Sequence, residues 1–342
     1  MNNRILIFCD TEIEYAQQMT AFLKKRKEVP WKLRTYTSVA SFLQDVDPEG
    51  IEVLLVAENA YTDEVRKLSV LHTVLLNESG VLRWREVCNV DKYQRAEDVF
   101  KAILNIYLEM EGTALPKLEA GKDLRLIGMY SPVRRCLQTS FALTLGQMLA
   151  EEYKTLYLNF EHYAGITELV PDIQTRDLAD LMYFLNGEKE KFRLWMKTML
   201  HRCGELDYIP PMRAGQNLIS VVGTEWKNLL QRIAELGEYE YVILDLSENI
   251  QGLFDILRMC GTVFTLTKAD KLAQRKMTQY EQVLALYEYE DVLDKTHTYS
   301  LPLFRSLPEQ MEQFTKGELA SYVKGVIEDV VIWKRRSDLE KA

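Results

Sequence analysis

Short apolar runs of strand length recur along this chain, and almost every one hands over to a segment with helical spacing. In the first part the strand candidates are "RILIFCD", "KLRTYTS", "IEVLLVAEN", "HTVLLNE" and "EVCNVDKY". The helical segments between and after them are "EIEYAQQMTAFLKKR", "VASFLQDV", "DEVRKLS" and "AEDVFKAILNIYLEM". Strands that alternate with helices pair in parallel, and helices then cover both faces of the sheet. The expectation is a three-layer, doubly wound α/β fold.

The alternation stops at "EGTALPKLEAGKD", Glu111–Asp123, where glycine, proline and charge replace periodicity. It then restarts with "LRLIGMYSP", "TLYLNFE", "LISVVG", "YEYVILDLS", "GTVFTLTKAD" and "HTYSLPL" as about six strands. A mostly helical stretch, "RDLADLMYFLNG" and "EKFRLWMKTMLHRC", interrupts the series until "YIPPMR" breaks it. The reading is two α/β domains, residues 1–111 and 124–342, joined by a linker at 112–123. A length of 342 residues fits two domains.

With 47% apolar and 27% charged residues the composition is that of an ordinary soluble protein. A net charge of −9 repels phosphate backbones and argues against nucleic-acid binding. The start, "MNNRILIFCD", reads as a strand rather than a secretory leader, and no apolar run approaches the roughly 18 residues that span a bilayer. A cytoplasmic protein is expected. Cys9, Cys88, Cys136, Cys203 and Cys260 form no CxxC pair and read as buried free thiols. His72, His162, His201 and His297 lack the spacing of a zinc site, so no metal centre is expected.

The first domain resembles a response-regulator receiver in the order of its elements. That resemblance implies an acidic pair after the first strand, a phosphoacceptor aspartate ending the third, and a lysine after the fifth. Here the acidic pair is Cys9-Asp10, the acceptor position is Ala57, and Lys92 keeps the lysine, followed by Tyr93. Alanine has no oxygen to phosphorylate, and Glu58, one residue on, points elsewhere if side chains keep alternating along the strand. Two readings stand for Asp10, Glu58 and Lys92: a residual anion or metal site, or charged residues at strand ends that solvate freely. Either way the domain is expected to bind protein rather than receive phosphate.

In the second domain "YSPVRRCLQTSFALTLGQMLA", Tyr130–Ala150, sits where strand gives way to helix, the place of a phosphate-binding loop. Such a loop needs glycines for close backbone approach and a lysine for the phosphates. The MinD/ParA branch of the P-loop ATPases uses KGGxGKT. Aligned on Thr139, Val133 stands at the signature lysine, Arg134 and Arg135 at the paired glycines, Leu137 at the last glycine and Gln138 at the phosphate lysine. Thr139 matches, with Ser140 beside it. "YEYVILDLS" is similar to a Walker B strand ending in Asp245, and Asn159 and Glu161 fall near the first switch. Without either lysine the charge developing on a transferring phosphoryl group has no counter-charge, so hydrolysis is not expected and no catalytic residue is assigned. Arg134 and Arg135 either attract an anion or are solvated loop charges. Asp245 either binds magnesium or is kept for hydrogen bonding. No cofactor is expected, and ATP with magnesium is the alternative.

A receiver-like domain followed by a MinD-like one resembles the TadZ/CpaE family of pilus-assembly proteins, carried by "DKYQRAEDVFKAIL", "YSPVRRCLQTSFALTLGQMLA", "TLYLNFE", "YEYVILDLS" and "TKADKLAQRKMTQYEQVL". The resemblance implies a scaffold that localises a type IVb (Tad/Flp) secretion apparatus through protein contacts, often at a pole or at the inner face of the membrane. It also implies a homodimer formed around ATP, a property tied to the glycines this loop lacks. The alternative is an ATP-binding MinD-like switch with weak or no hydrolysis. The last helix aligns Leu319, Tyr322, Val323, Val326, Ile327, Val330 and Trp333 on one side and ends in Lys334-Arg335-Arg336. That stripe either packs on its own sheet or contacts a membrane.

Overall fold

The computed structural model describes residues 5–26, 31–45, 51–84, 86–109, 124–166 and 176–332. The linker at 112–123 and residues 333–336 of the terminal stripe lie outside them. The chain divides into two compact units, Met1–Leu118 with Arg193–Thr198, and Glu119–Phe192 with Met199–Ala342.

In the first unit β1 (Ile5–Cys9), α1 (Ile13–Lys24), β2 (Lys32–Tyr36), α2 (Val39–Asp45), β3 (Ile51–Ala57), α3 (Asp63–Arg66), β4 (His72–Asn77), β5 (Cys88–Asp91) and α4 (Ala96–Glu109) follow in order. The five strands are all parallel and lie in the order β2-β1-β3-β4-β5. This is the flavodoxin-like doubly wound order. β3 is the central strand, and its run of valine, leucine and isoleucine is buried on both faces, as a sheet covered from both sides requires. α1 buries Ala16, Met19 and Leu23, spaced three and four apart, and leaves its other side wet. Phe42, Leu54, Val56, Val65 and Leu75 fill the core beneath.

The alternation fails at one point in this unit. β4 and β5 are parallel neighbours, yet no helix forms between them among the described residues. "DEVRKLS" likewise yields only the single turn of α3, capped by the Thr62 hydroxyl, which accepts from the Val65 N–H at 3.4 Å.

The second unit comprises β6 (Arg125–Met129), α5 (Gln138–Ala150), β7 (Thr155–Asn159), α6 (Leu178–Tyr183), α7 (Lys189–Met199), β8 (His201–Cys203), β9 (Leu206–Tyr208), α8 (Gly215–Ser220), α9 (Gly223–Leu236), β10 (Tyr241–Asp245), α10 (Leu253–Met259), β11 (Thr262–Thr267), α11 (Lys271–Leu286), β12 (Thr296–Ser300) and α12 (Gly317–Val326). Part of α7 clusters with the first unit. The sheet order is β12-β11-β6-β10-β7-β9-β8, parallel throughout except for β8, which runs antiparallel to β9.

Two sequence expectations are corrected here. "LISVVG" is not a strand: Leu218 to Ser220 end α8, and Val222 caps α9. Two strands not expected from the sequence form instead, β8 from the last residues of the stretch read as helical and β9 from Leu206–Tyr208 just after it. Gly204, at φ +58°, opens a two-residue loop that folds His201–Cys203 back on Leu206–Tyr208. Burial on one sheet face outweighs the helical pattern there.

α5 is almost wholly buried, with Phe141, Leu143, Leu145 and Leu149 at 2% exposure or less. α12 packs against it, and its Leu319, Val323 and Val326, followed by Ile327 and Val330 in a terminal π-turn, enter the same core. Tyr322 packs against that core half-buried. Of the two readings of the terminal stripe, its described residues take the packed one. No described helix is long and apolar enough to cross a membrane. Cys9, Cys136, Cys203 and Cys260 are buried thiols as read, but Cys88 is exposed on the edge strand β5.

Candidate functional site

Each parallel sheet collects polar residues just beyond the C-terminal ends of its strands, where doubly wound folds place their ligands. The two units do this in different ways.

In the first unit Asp10 follows β1 and Lys92 follows β5. They are not freely solvated strand ends: both are fully buried. The Lys92 ammonium lies 3.0 Å from an Asp10 oxygen, 3.0 Å from Glu12 and 2.8 Å from Glu78. Tyr15 lies against it with the ring centroid at 4.9 Å, and donates its hydroxyl to the Lys92 carbonyl at 2.7 Å. Burial alone would weaken the ammonium, but the bonds to Glu78, Glu12 and Asp10 outweigh it and hold its pKa above the ordinary value. Glu12 and Glu78 were missed from the sequence, since neither sits at a family position; their nearness to Lys92 is a product of sheet order. Among the described residues no group of three or more metal-ligating side chains could hold a metal ion. The residual-site reading is also corrected for Glu58. A 3-10 turn begins at this residue, so strand alternation ends at the buried Ala57. The Glu58 carboxylate turns to the loop after β4 and bonds Glu78 and Ser79 rather than Lys92.

In the second unit the loop from Ser131 to Leu137 joins β6 to α5. Arg134, Arg135 and Leu137 hold φ of 62°, 49° and 63°. These are the three positions where the motif has glycine, so the loop keeps a left-handed backbone without the residue that favours it. Inside the loop the Cys136 thiol donates to the Arg134 carbonyl at 3.0 Å, and the Ser131 hydroxyl accepts the Val133 N–H at 3.1 Å. Among the described residues nothing accepts the backbone N–H of residues 134 to 140. Val133 packs half-buried on the core. Arg134 and Arg135 point to solvent, and Arg134 pairs with Glu248, its Nε at 3.0 Å.

Asp245, at the end of β10, is fully buried and is the centre of the site. Gln138 Nε2 donates to its Oδ1 at 2.7 Å, and also to the carbonyls of Leu246 at 2.9 Å and Met129 at 3.3 Å. Tyr157 Oη and Asn159 Nδ2 donate to Oδ2 at 2.9 and 3.0 Å. Thr139 adds to the influences that lower the pKa of the same carboxylate. Burial raises the Asp245 pKa and these four neutral side chains oppose it. Glu161 follows β7 by two residues, its N–H donating to Asn159 Oδ1 at 2.9 Å. Burial, then the nearby Asp245 charge, push its carboxyl up to about 7, with Arg134 pulling the other way.

The structure therefore gathers Gln138, Thr139, Asn159 and Asp245, with Glu161 near, and leaves Arg134 and Arg135 outside. Ser140 contributes its carbonyl to the Thr144 hydroxyl and takes no part. Tyr157 was missed, because a tyrosine inside an apolar strand reads as core.

No family model matches this chain, and no curated protein does. Among solved structures it is similar to a ParA family ATPase from Chlorobium tepidum, at 16% identity over 52% of this chain and 73% of that one, TM-score 0.43. It is also similar to a plasmid partition protein from Borrelia burgdorferi, at 15% identity over 60% and 100%, TM-score 0.40. A third likeness is to the MinD cell division protein of Aquifex aeolicus, at 13% identity over 51% and 67%, TM-score 0.39.

Proposed function

We propose that this chain is a non-catalytic localisation or scaffold protein of the TadZ/CpaE kind, working in a Tad/Flp pilus or secretion assembly through protein contacts. In this reading residues 1–111 are a receiver-derived domain that takes no phosphate, and 124–342 a MinD/ParA-derived domain. The protein acts in the cytoplasm, at a pole or at the inner face of the membrane, and pairs with itself or with assembly proteins.

One observation carries the reading. Three neutral side chains of the chain, Gln138, Tyr157 and Asn159, donate to the buried Asp245 carboxylate, and the residue at the phosphate-lysine position is one of them, Gln138, at 2.7 Å. A magnesium ion held there would have to displace these donors, and the amide that replaces lysine brings no charge to a triphosphate.

A specific observation also favours the ATP-binding alternative. The N–H groups of residues 134 to 140 have no acceptor among the described residues, and the loop carries left-handed residues at 134, 135 and 137, as backbone anion nests do. Calorimetry with ATP and magnesium separates the two. The scaffold reading expects no heat at millimolar nucleotide and no ATP turnover. Tight magnesium-dependent binding that is lost in Asp245→Asn would replace it with the switch.

A further inference from the structure

The connection from β4 to β5 is the unusual one in the first unit. Adjacent parallel strands are ordinarily joined by a crossover of a dozen or more residues, with a helix in it. Here residues 78–87 do the work with no helix among the described residues. Such a loop exposes its own backbone groups, and something must hold them.

Glu58 does so from the neighbouring strand end. Its Oε2 accepts the N–H of Glu78 at 3.0 Å and of Ser79 at 2.9 Å, and its Oε1 accepts the Ser79 hydroxyl at 2.9 Å. Arg83, further along the loop, places its Nε 3.9 Å from the same carboxylate, whose side chain is 9% exposed. Burial alone would raise the Glu58 pKa; the N–H groups of Ser79 and Glu78 bring it below the usual carboxylate value. Asn77 continues the clasp, accepting the Gly80 N–H at 2.8 Å and donating to the Val81 carbonyl at 3.1 Å. Glu78, whose N–H Glu58 holds, reaches with its own carboxylate to Lys92. The clasp and the buried ammonium are thus one connected network. On top of it the loop carries Val81 and Leu82, 55% and 56% exposed.

We propose that Glu58 is a built-in anion that clamps the β4–β5 loop shut, so that Val81 and Leu82 are held in place with no phosphoryl group or bound ion. On the receiver-derived reading proposed above, on which this role rests, a residue beside a position that cannot be phosphorylated supplies a permanent negative charge, and the loop is set for good rather than switched.

The test is amide hydrogen exchange of the full chain over residues 78–84. Glu58→Ala removes the acceptor of three donors, and exchange there is expected to rise about tenfold, the equivalent of roughly one charge-assisted bond. Sodium acetate or inorganic phosphate added to Glu58→Ala should enter the vacated cradle and slow exchange again, with no effect on the unmodified protein. Ser79→Ala, a milder change that leaves Glu58 in place, is expected to give a rise of about two- to fivefold confined to the same residues. Unchanged exchange in both variants would overturn the proposal. So would faster exchange in Glu58→Ala that neither anion reverses, because the loss would then be one of packing and not of charge.

Discussion

At the scale of single residues, Arg134, Arg135 and Leu137 are the telling ones, each held at positive φ in a stretch of four. A β-carbon in that region costs about 1–2 kcal/mol per residue. Arg135 is exposed, so Arg135→Gly should raise stability by about 1 kcal/mol, or a few degrees of Tm, in thermal unfolding. A fall in Tm would mean that its side chain holds the loop. Lys92 makes the opposite point. Lys92→Met leaves Asp10 buried without its cation, a loss of about 3–5 kcal/mol in denaturant unfolding, and adding Asp10→Asn should recover part of it. Glu161 carries a pH dependence whose sign follows from its raised pKa. The folded state keeps the proton up to about 7 against an ordinary value of 4.5, so this group costs stability as pH rises through that interval. The stability difference between Glu161→Gln and the unmodified protein should therefore move in favour of the variant from pH 4.5 to 7. A constant difference would place the carboxyl in ordinary solvent.

At the scale of elements, local pattern and tertiary context part company at one hairpin. The first arm of the β8–β9 hairpin formed from the end of a segment with helical spacing, where a turn glycine and pairing in the sheet reward it. The β4–β5 connection carries no helical pattern in the sequence and forms no helix among the described residues; a network of side-chain bonds holds it. α12 shows burial and pattern in agreement. Its stripe is core, packed on α5. Leu319→Ala should cost about 2–5 kcal/mol, and removal of residues from Gly317 onward should unfold the second unit in circular dichroism. A truncated chain with native spectrum and Tm would show that the helix is dispensable to the fold.

At the scale of the whole molecule the net charge of −9 sets an expectation independent of any site. Duplex DNA should not be retained even at low salt, where a phosphate-binding surface would hold it most strongly; a gel shift that weakens with added salt would contradict this. The alternation of apolar runs and helical periods was enough to foretell parallel sheets, because burial on both faces leaves a mark in every strand. The positions of polar residues were legible too: Asp10, Lys92, Asn159 and Asp245 end or follow strands, and Gln138 and Thr139 open α5. What the sequence could not say is what those residues touch. That Lys92 is buried among three carboxylates, that Gln138 meets an aspartate 107 positions away, and that arginine and leucine hold a glycine's backbone angles were decided by the tertiary structure. Strand order brings together groups far apart in the chain, and only there do burial and charge settle which partner each one takes.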